Sequence, residues 1–467
     1  MDRDFLALIF SDLHLGEEDS VFMLYDKDEV NSTYLEALKA FLSERVELPV
    51  PYLIIAGDGL DLSLARRRKA FPALKAFLSK FNDLFSEVLI YLPGNHDHHL
   101  WVALQEEALI FQKIRTNREV EPYYYALCPL IESGQIRFPR KEISQPFGQK
   151  TFLYHLLPEE AQAEGRGFLV AYPNLYLKED DSFILVTHGH FFEEVWTLFS
   201  DVLRGSLAQM GLKRLNFKKL EQINSPFIEF GWYSLGQAGE LSMLLERLWD
   251  ELHAGGPGPL TDKVLEDIIH YLDERLDFKP KARKTFFGRI QNIFRHLWAG
   301  AAEVSSDALL WLTGEIIKHL LMAHIVEEGK PKPGASLRHS PSILSDEKTR
   351  VRIKTYLEMA LPAFPALNKL IFGHTHVPFL NGELEIDTPA GKRKIVCFNT
   401  GGWVTDVYDA DHLTTSRPFV LGIKVGGEIE SFDIPWPSYE EFESIEGLER
   451  DKARKRTKKL IWKKLVD

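Results

Sequence analysis

The sequence predicts an α/β fold, and three observations carry that prediction. Five short apolar runs, Phe5 to Phe10, Tyr52 to Ala56, Val88 to Leu92, Phe183 to Val186 and Lys369 to Phe372, have strand length and β-branched or aromatic content. Between the early runs lie stretches of helical periodicity, Thr33 to Val46 and Arg67 to Phe85, so strand and helix alternate. Each run also ends in a cluster of Gly, Asp, Asn or His, at the carboxyl end of a strand, where ligands of such sheets collect.

After Gly373 the pattern becomes strand-rich. Lys394 to Phe398, Phe419 to Val425 and Glu428 to Ile434 read as strands separated by turn residues, which predicts a second sheet. Between His190 and Lys369 helical periodicity dominates, broken by Gly255-Gly256-Pro257-Gly258-Pro259 and by the loop-like stretch Gly329 to Ser345. The expected organisation is a core in two parts, 1–190 and 346–440, with a helical insertion or cap at 191–345 and a basic amphipathic tail at 441–467. The insertion holds five of the nine tryptophans, Trp196, Trp232, Trp249, Trp298 and Trp311, and an aromatic stripe at helical spacing reads as core before it reads as a ligand groove.

The length of 467 residues suits about three domains, or one large domain with an insertion. A hydrophobic share of 45 % with 27 % charged residues belongs to a globular chain and excludes collagen-like or wholly disordered classes. The net charge of −12 argues against a broad grip on nucleic-acid phosphates. Two cysteines, Cys128 and Cys397, exclude a disulfide framework or thiolate cluster. The first apolar run is too short for a signal-peptide core, and the apolar stretch Leu309 to Val326 is interrupted by Glu315, Lys318, His319 and His324, so a cytoplasmic protein is expected. Residues 450–467 contain nine Lys or Arg against two Asp, a local +7 that leaves −19 on the rest. In a helix, Leu460, Ile461, Trp462, Leu465 and Val466 would share a face, the pattern of a basic helix lying peripherally on the inner membrane surface. Nucleic-acid contact and a solvated tail are the competing readings.

The chemistry resides in the strand-end clusters: Asp12-Leu13-His14, Gly57-Asp58, Gly94-Asn95-His96-Asp97, His188-Gly189-His190 and Gly373-His374-Thr375-His376, which hold six of the sixteen histidines. One such cluster would be an ordinary turn. Five in order meet the needs of two divalent cations about 3.5–4 Å apart, a bridging carboxylate plus O and N donors completing each shell. Asp58 is the natural bridge. Donors two residues apart on an extended segment, as in Asp12/His14 and His374/His376, can point to one side.

These ordered motifs, D-x-H, GD, GNHD, HGH and GHTH, resemble those of the calcineurin-like metallophosphoesterases. The resemblance covers roughly residues 1 to 200 and 365 to 435 and implies a four-layer α/β/β/α sandwich from which the helical insertion is excluded. It implies that Asp12, His14 and His376 hold one metal, that Asn95, His188 and His374 hold the other, and that Asp58 is shared. It further implies that His96 protonates the leaving oxygen, oriented by Asp97, while a metal-bridging hydroxide attacks phosphorus in line. The implied activity is hydrolysis of a phosphoester, as a phosphodiesterase, pyrophosphatase or phosphatase; an exonuclease of the same fold and a non-catalytic scaffold are the alternatives. The donors accept Mn, Fe, Zn or Co, with manganese favoured for activity. A helical cap with a basic tail is also similar to lipid-A-pathway pyrophosphatases, which carry Arg where this chain has His96.

Neighbouring residues receive blander readings. Asp61 reads as a helix cap before a partner of the site, and His190 as a residue that orients His188 or contacts substrate. His98 and His99 read as polar loop residues, and Arg66, Arg67 and Arg68 as a solvated helix start. Asn399-Thr400-Gly401-Gly402-Trp403 reads as a structural turn near the site.

Overall fold

The computed structural model describes residues 4–138, 151–201, 215–229, 233, 344, 346–405 and 417–466, apart from positions 26, 28, 64, 66, 194, 198–199, 389–390, 439–440, 443–444 and 446–449. They fall in one compact unit, Met1–Ser242 with Ser336–Asp467. Most of the expected insertion at 191–345 lies outside the described residues, as do Arg66, Trp232, Trp249, Trp298 and Trp311.

The strands in chain order are β1 (Phe5–Phe10), β2 (Val50–Ala56), β3 (Phe85–Leu92), β4 (Leu130–Glu132), β5 (Gln135–Arg137), β6 (Gly167–Val170), β7 (Asn174–Glu179), β8 (Ser182–Thr187), β9 (Leu367–Phe372), β10 (Phe379–Thr388), β11 (Gly391–Asn399), β12 (Phe419–Lys424) and β13 (Ile429–Asp433). One sheet has the order β13-β12-β1-β2-β3-β6 and the other β10-β11-β9-β8-β7-β4-β5. In the first, β1, β2, β3 and β6 run parallel, with Leu8 paired to Leu53 and Leu53 to Leu89. Parallel strands are covered on both faces, so they are apolar almost without interruption, and every residue of β1 is buried. Ile9, Ile54 and Ile90 from this sheet and Leu175, Ile184, Val186 and Ile371 from the other join one hydrophobic cluster.

All five strand-end clusters follow a strand of these sheets: β1, β2 and β3 carry the first three, β8 and β9 the last two. The assignment of strands to sheets differs from expectation. Of the strands after Gly373, β10 and β11 extend the second sheet, whereas β12 returns to pair antiparallel with β1, and β13 with β12. Hydrophobic pattern marks a strand and leaves its neighbour open, because both sheets offer an edge of the same chemistry.

Helix Ser32–Ser43 starts where the Asn31 side chain accepts from Tyr34 N at 3.2 Å, and it buries Tyr34, Leu35, Leu38 and Leu42 at helical spacing. The helix expected over Arg67 to Phe85 ends at Lys80, and Phe85 already belongs to β3.

The tail forms the helix Arg450–Val466, packed against Ser32–Ser43. The apolar face expected to meet a membrane is divided: Ile461 is buried within the protein, the Trp462 indole donates to Val21 O at 2.8 Å, and Val466 is exposed. The buried side also carries Ala453, Arg454, Thr457 and Lys458, while Lys452, Lys455, Arg456, Lys459 and Lys463 face outward. Among the described residues, no helix is long and apolar enough to cross a membrane.

Candidate metal centre

The loops after β1, β2 and β9 share an unusual backbone. Asp12, His14, Asp58, His374 and His376 have φ of 52°, 45°, 48°, 66° and 55°, the left-handed region that non-glycine residues rarely enter. Each such residue costs about 1–2 kcal/mol, a cost that persists where surrounding structure dictates the conformation. Here the dictation is visible. Asp12 N and His14 N donate to Gly57 O and Asp58 O, both at 2.9 Å, so the first two loops are zipped together, and Gly373 N donates to His188 O at 3.0 Å. Two motif glycines leave room for ligand side chains. A Cβ on Gly94 would stand 2.2 Å from Asp58 Oδ1, and one on Gly373 would stand 2.1 Å from Asp12 Oδ2.

The seven side chains expected to hold metal converge in two buried groups. In the first, donor atoms of Asp12, His14 and His376 lie within 4.8 Å of one another. His376 Nε2 is 3.3 Å from both Asp12 Oδ1 and His14 Nε2. In the second, donor atoms of Asp58, His188 and His374 lie within 4.8 Å of one another, and Asn95 Oδ1 joins them 3.1 Å from His188 Nε2. Asp58 Oδ2 stands 3.1 Å from His188 Nε2 and 3.8 Å from His14 Nε2, so one oxygen reaches both groups.

This donor set fits a pair of divalent cations. The approaches between ring nitrogens, His14 Nε2 to His376 Nε2 and His188 Nε2 to His374 Nδ1 at 3.2 Å, leave lone pairs converging on points that carboxylate oxygens also face. Buried Asn95 Nδ2 has no hydrogen-bond partner among the described residues, although its carbonyl oxygen faces the cluster. Burial opposes charge throughout, yet His188 and His96 hold the Asp58 carboxyl well below the usual range. Burial likewise opposes the charge on His188, but Asp58 pushes it up to about 9; Asp61 and Glu17 similarly raise His14 against its burial. Protons on these imidazoles would balance the carboxylates, and a bound cation would take their place.

Residues behind the donors fix their rings. His188 Nδ1 lies 3.2 Å from Ala56 O, which turns Nε2 toward Asp58. His14 Nδ1 lies 3.1 Å from Asp61 Oδ2 and 3.3 Å from Glu17 Oε2, and Glu193 Oε2 stands 3.0 Å from His374 Nε2. A carboxylate behind a ligating imidazole sets its tautomer and raises its basicity.

His96 sits beside the first group, its ring centroid 4.7 Å from that of His14. Its orientation corrects one expectation: His96 Nδ1 faces Asp61 Oδ2 at 2.8 Å and Ser63 Oγ at 2.7 Å. Asp97 instead ties the GNHD turn, accepting from Gly94 N at 2.6 Å, Leu60 N at 3.1 Å and the Tyr91 hydroxyl. Burial, together with the charge of Asp58, raises the Asp97 carboxyl. Asp61 does not cap the next helix, which begins at Arg67; it accepts from Ser63 N at 2.9 Å in a local turn and orients His14 and His96.

His190 packs against the Tyr172 ring outside both donor groups, its Nε2 3.3 Å from the Tyr172 hydroxyl. Burial and the adjacent His188 and His374 keep it well below the usual histidine range. His98 departs from the loop reading, being buried between Glu221 and Glu229, and Arg67 lies over the Tyr233 ring at 4.8 Å. Asn399 Nδ2 donates to Gly373 O at 2.9 Å and Thr375 Oγ1 at 3.0 Å, bracing the last motif as the turn reading expects. Sequence reasoning missed Glu17, Glu193 and Ser63. The first two had a faint signal, each lying three residues beyond a motif histidine.

Two sheets whose strand ends gather seven O and N donors, Asp58 central among them, form a candidate metal centre. Residues 5–219 match the family model of calcineurin-like phosphoesterases. His374 and His376 lie beyond the matched segment, and β9 returns them to the same cluster. No curated protein matches the chain.

Proposed function

We propose that this chain hydrolyses phosphoesters, as a phosphodiesterase, pyrophosphatase or phosphatase, using two divalent cations, with His96 delivering a proton to the leaving oxygen. The observation that carries the proposal is the position of Asp58 Oδ2 between the imidazoles of His14 and His188. When bound, the cations supply Lewis acidity to the phosphoryl oxygens and a lowered pKa to water. Manganese is the first to test, with iron and zinc next.

The chain's own residues position and protonate. His96 N donates to Asp58 Oδ1 at 2.9 Å, so the loop bearing the acid is tied to the bridging carboxylate itself. With Nδ1–H directed at Asp61, the His96 tautomer leaves Nε2 to carry the proton toward a departing alkoxide or phosphate. Retention of five strained donor positions supports a working centre over a scaffold of the same fold.

Turnover of bis(p-nitrophenyl) phosphate and of an alkyl phosphodiester tests this. Asp58→Ala should lose cation loading and activity together. His96→Ala should keep its cations and lose rate, about 10²–10⁴-fold on the alkyl ester and much less on the aryl ester, whose leaving group needs no proton. Equal rates for wild type and His96→Ala on the alkyl ester would reject the acid role.

A further inference from the structure

Arg454, Lys458 and Trp462 recur every four residues on one face of the C-terminal helix, and all three reach the loop that follows the Asp12-Leu13-His14 motif. Arg454 engages both oxygens of Asp19 and meets Glu18 Oε2 at 3.2 Å; Lys458 Nζ donates to Met23 O at 2.9 Å, and Trp462 to Val21 O. That loop opens with three consecutive acids, Glu17-Glu18-Asp19. Neutralising Glu18 and Asp19 leaves Glu17 to face His14 Nδ1.

The loop is also knitted to the ligand segment. Ser20 Oγ donates to Leu13 O at 2.7 Å, Val21 N to Trp403 O at 2.7 Å, and Trp403 N to Asp12 O at 3.0 Å. A shift of the loop therefore reaches the backbone of Asp12 and His14. In the second donor group, Asp58 and the His374 backbone also join that ligand segment, whereas the rings of His188 and His374 are braced elsewhere, by Ala56 O and Glu193.

Holding a helix in place does not require buried cations, since apolar side chains do so at lower desolvation cost. Yet Lys458 is fully buried, and burial pushes its ammonium down to about 8. Polar groups retained against that cost gather where function needs them.

We propose that the C-terminal helix is a clasp for the first donor group: Arg454, Lys458 and Trp462 hold the 17–23 loop so that the His14 ring is set for its cation. Arg454 is then a positioning residue for one cation and not for the other. The proposal rests on the cation reading of the site.

The test counts manganese ions per full-length chain and titrates them against a competing chelator, for wild type, Arg454→Met, Asp19→Asn, Arg454→Lys and the outward-facing control Lys459→Glu. Wild type and Lys459→Glu should take two ions. Arg454→Met and the isosteric Asp19→Asn should weaken one ion at least tenfold and leave the other within twofold, with Arg454→Lys recovering part of the loss. Two unchanged ions in Arg454→Met and Asp19→Asn, or parallel loss of both, would overturn the clasp while two ions on the wild type preserve the cation reading. A wild type that takes up no ion overturns both.

Discussion

Replacing His98 by Gln asks what holds the helix Phe217–Ile228 to the loop that carries His96. The His98 ring is buried, its Nε2 2.8 Å from Glu221 Oε1 and its Nδ1 against Glu229, whose second oxygen lies 2.8 Å from His99 Nδ1. Glu221 is itself buried and accepts from the Tyr172 hydroxyl at 2.8 Å. Burial pulls the imidazolium down, but Glu221 and Glu229 outweigh it and push His98 up to about 10 from an ordinary 6.5. Holding a proton across that interval is worth about 5 kcal/mol, in line with the roughly 3–5 kcal/mol lost when one partner of a buried ion pair is removed. Because the folded value is raised, this stabilisation is complete below pH 6.5 and declines as pH rises through 10. Amide hydrogen exchange over Phe217–Ile228, corrected for its intrinsic pH dependence, reads the effect locally. In His98→Gln, protection should fall about 10²- to 10⁴-fold at pH 6.5. The gap from wild type should then close toward pH 10. Unchanged protection, or a gap that is the same at every pH, refutes the ion-pair account.

Three further outcomes are expected. Gly94→Ala, whose Cβ would stand 2.2 Å from Asp58 Oδ1, should cost about 1–3 kcal/mol in thermal or denaturant stability and lower the cation count, whereas a variant with full loading would show that the loop yields freely. Asp61→Asn should lose turnover about 10²-fold or more, because His14 and His96 both direct Nδ1 at the replaced oxygen; a rate within threefold of wild type would remove Asp61 from the orienting role. Since Asp58 holds the His188 proton up to about 9, apparent manganese affinity in a chelator titration should rise steadily between pH 6.5 and 9, and a flat profile would contradict proton displacement.

The site was legible where chemistry and local geometry coincide. Asp12, His14, Asp58, Asn95, His188, His374 and His376 stand at strand ends, and Asp58, Asn95, His188 and His374 adjoin a glycine, so short-range pattern marked both the element and the donor. Asp61 was half legible: its turn to Ser63 N is local, whereas its bonds to His14 and His96 span 47 and 35 residues. Nothing local could mark His98 as an ion-paired core residue, because Glu221 and Glu229 are 123 and 131 positions away. The same distance hid the contacts of the tail. Its cations read as a surface pattern because Asp19 and Met23, which they meet, lie 435 residues earlier. Likewise β12 carried a clear strand signal without any sign that its partner was β1, at the opposite end of the chain.

The backbone of the five left-handed donor positions sets this protein's chemistry against its endurance. Glycine at Asp12, His14, Asp58, His374 or His376 would relax the local conformation and dilute a crowded field of buried charge. A library of variants sorted for heat resistance alone should therefore enrich glycine at these sites and drift toward robust, inert molecules, so any effort to toughen this protein has to select for turnover at the same time.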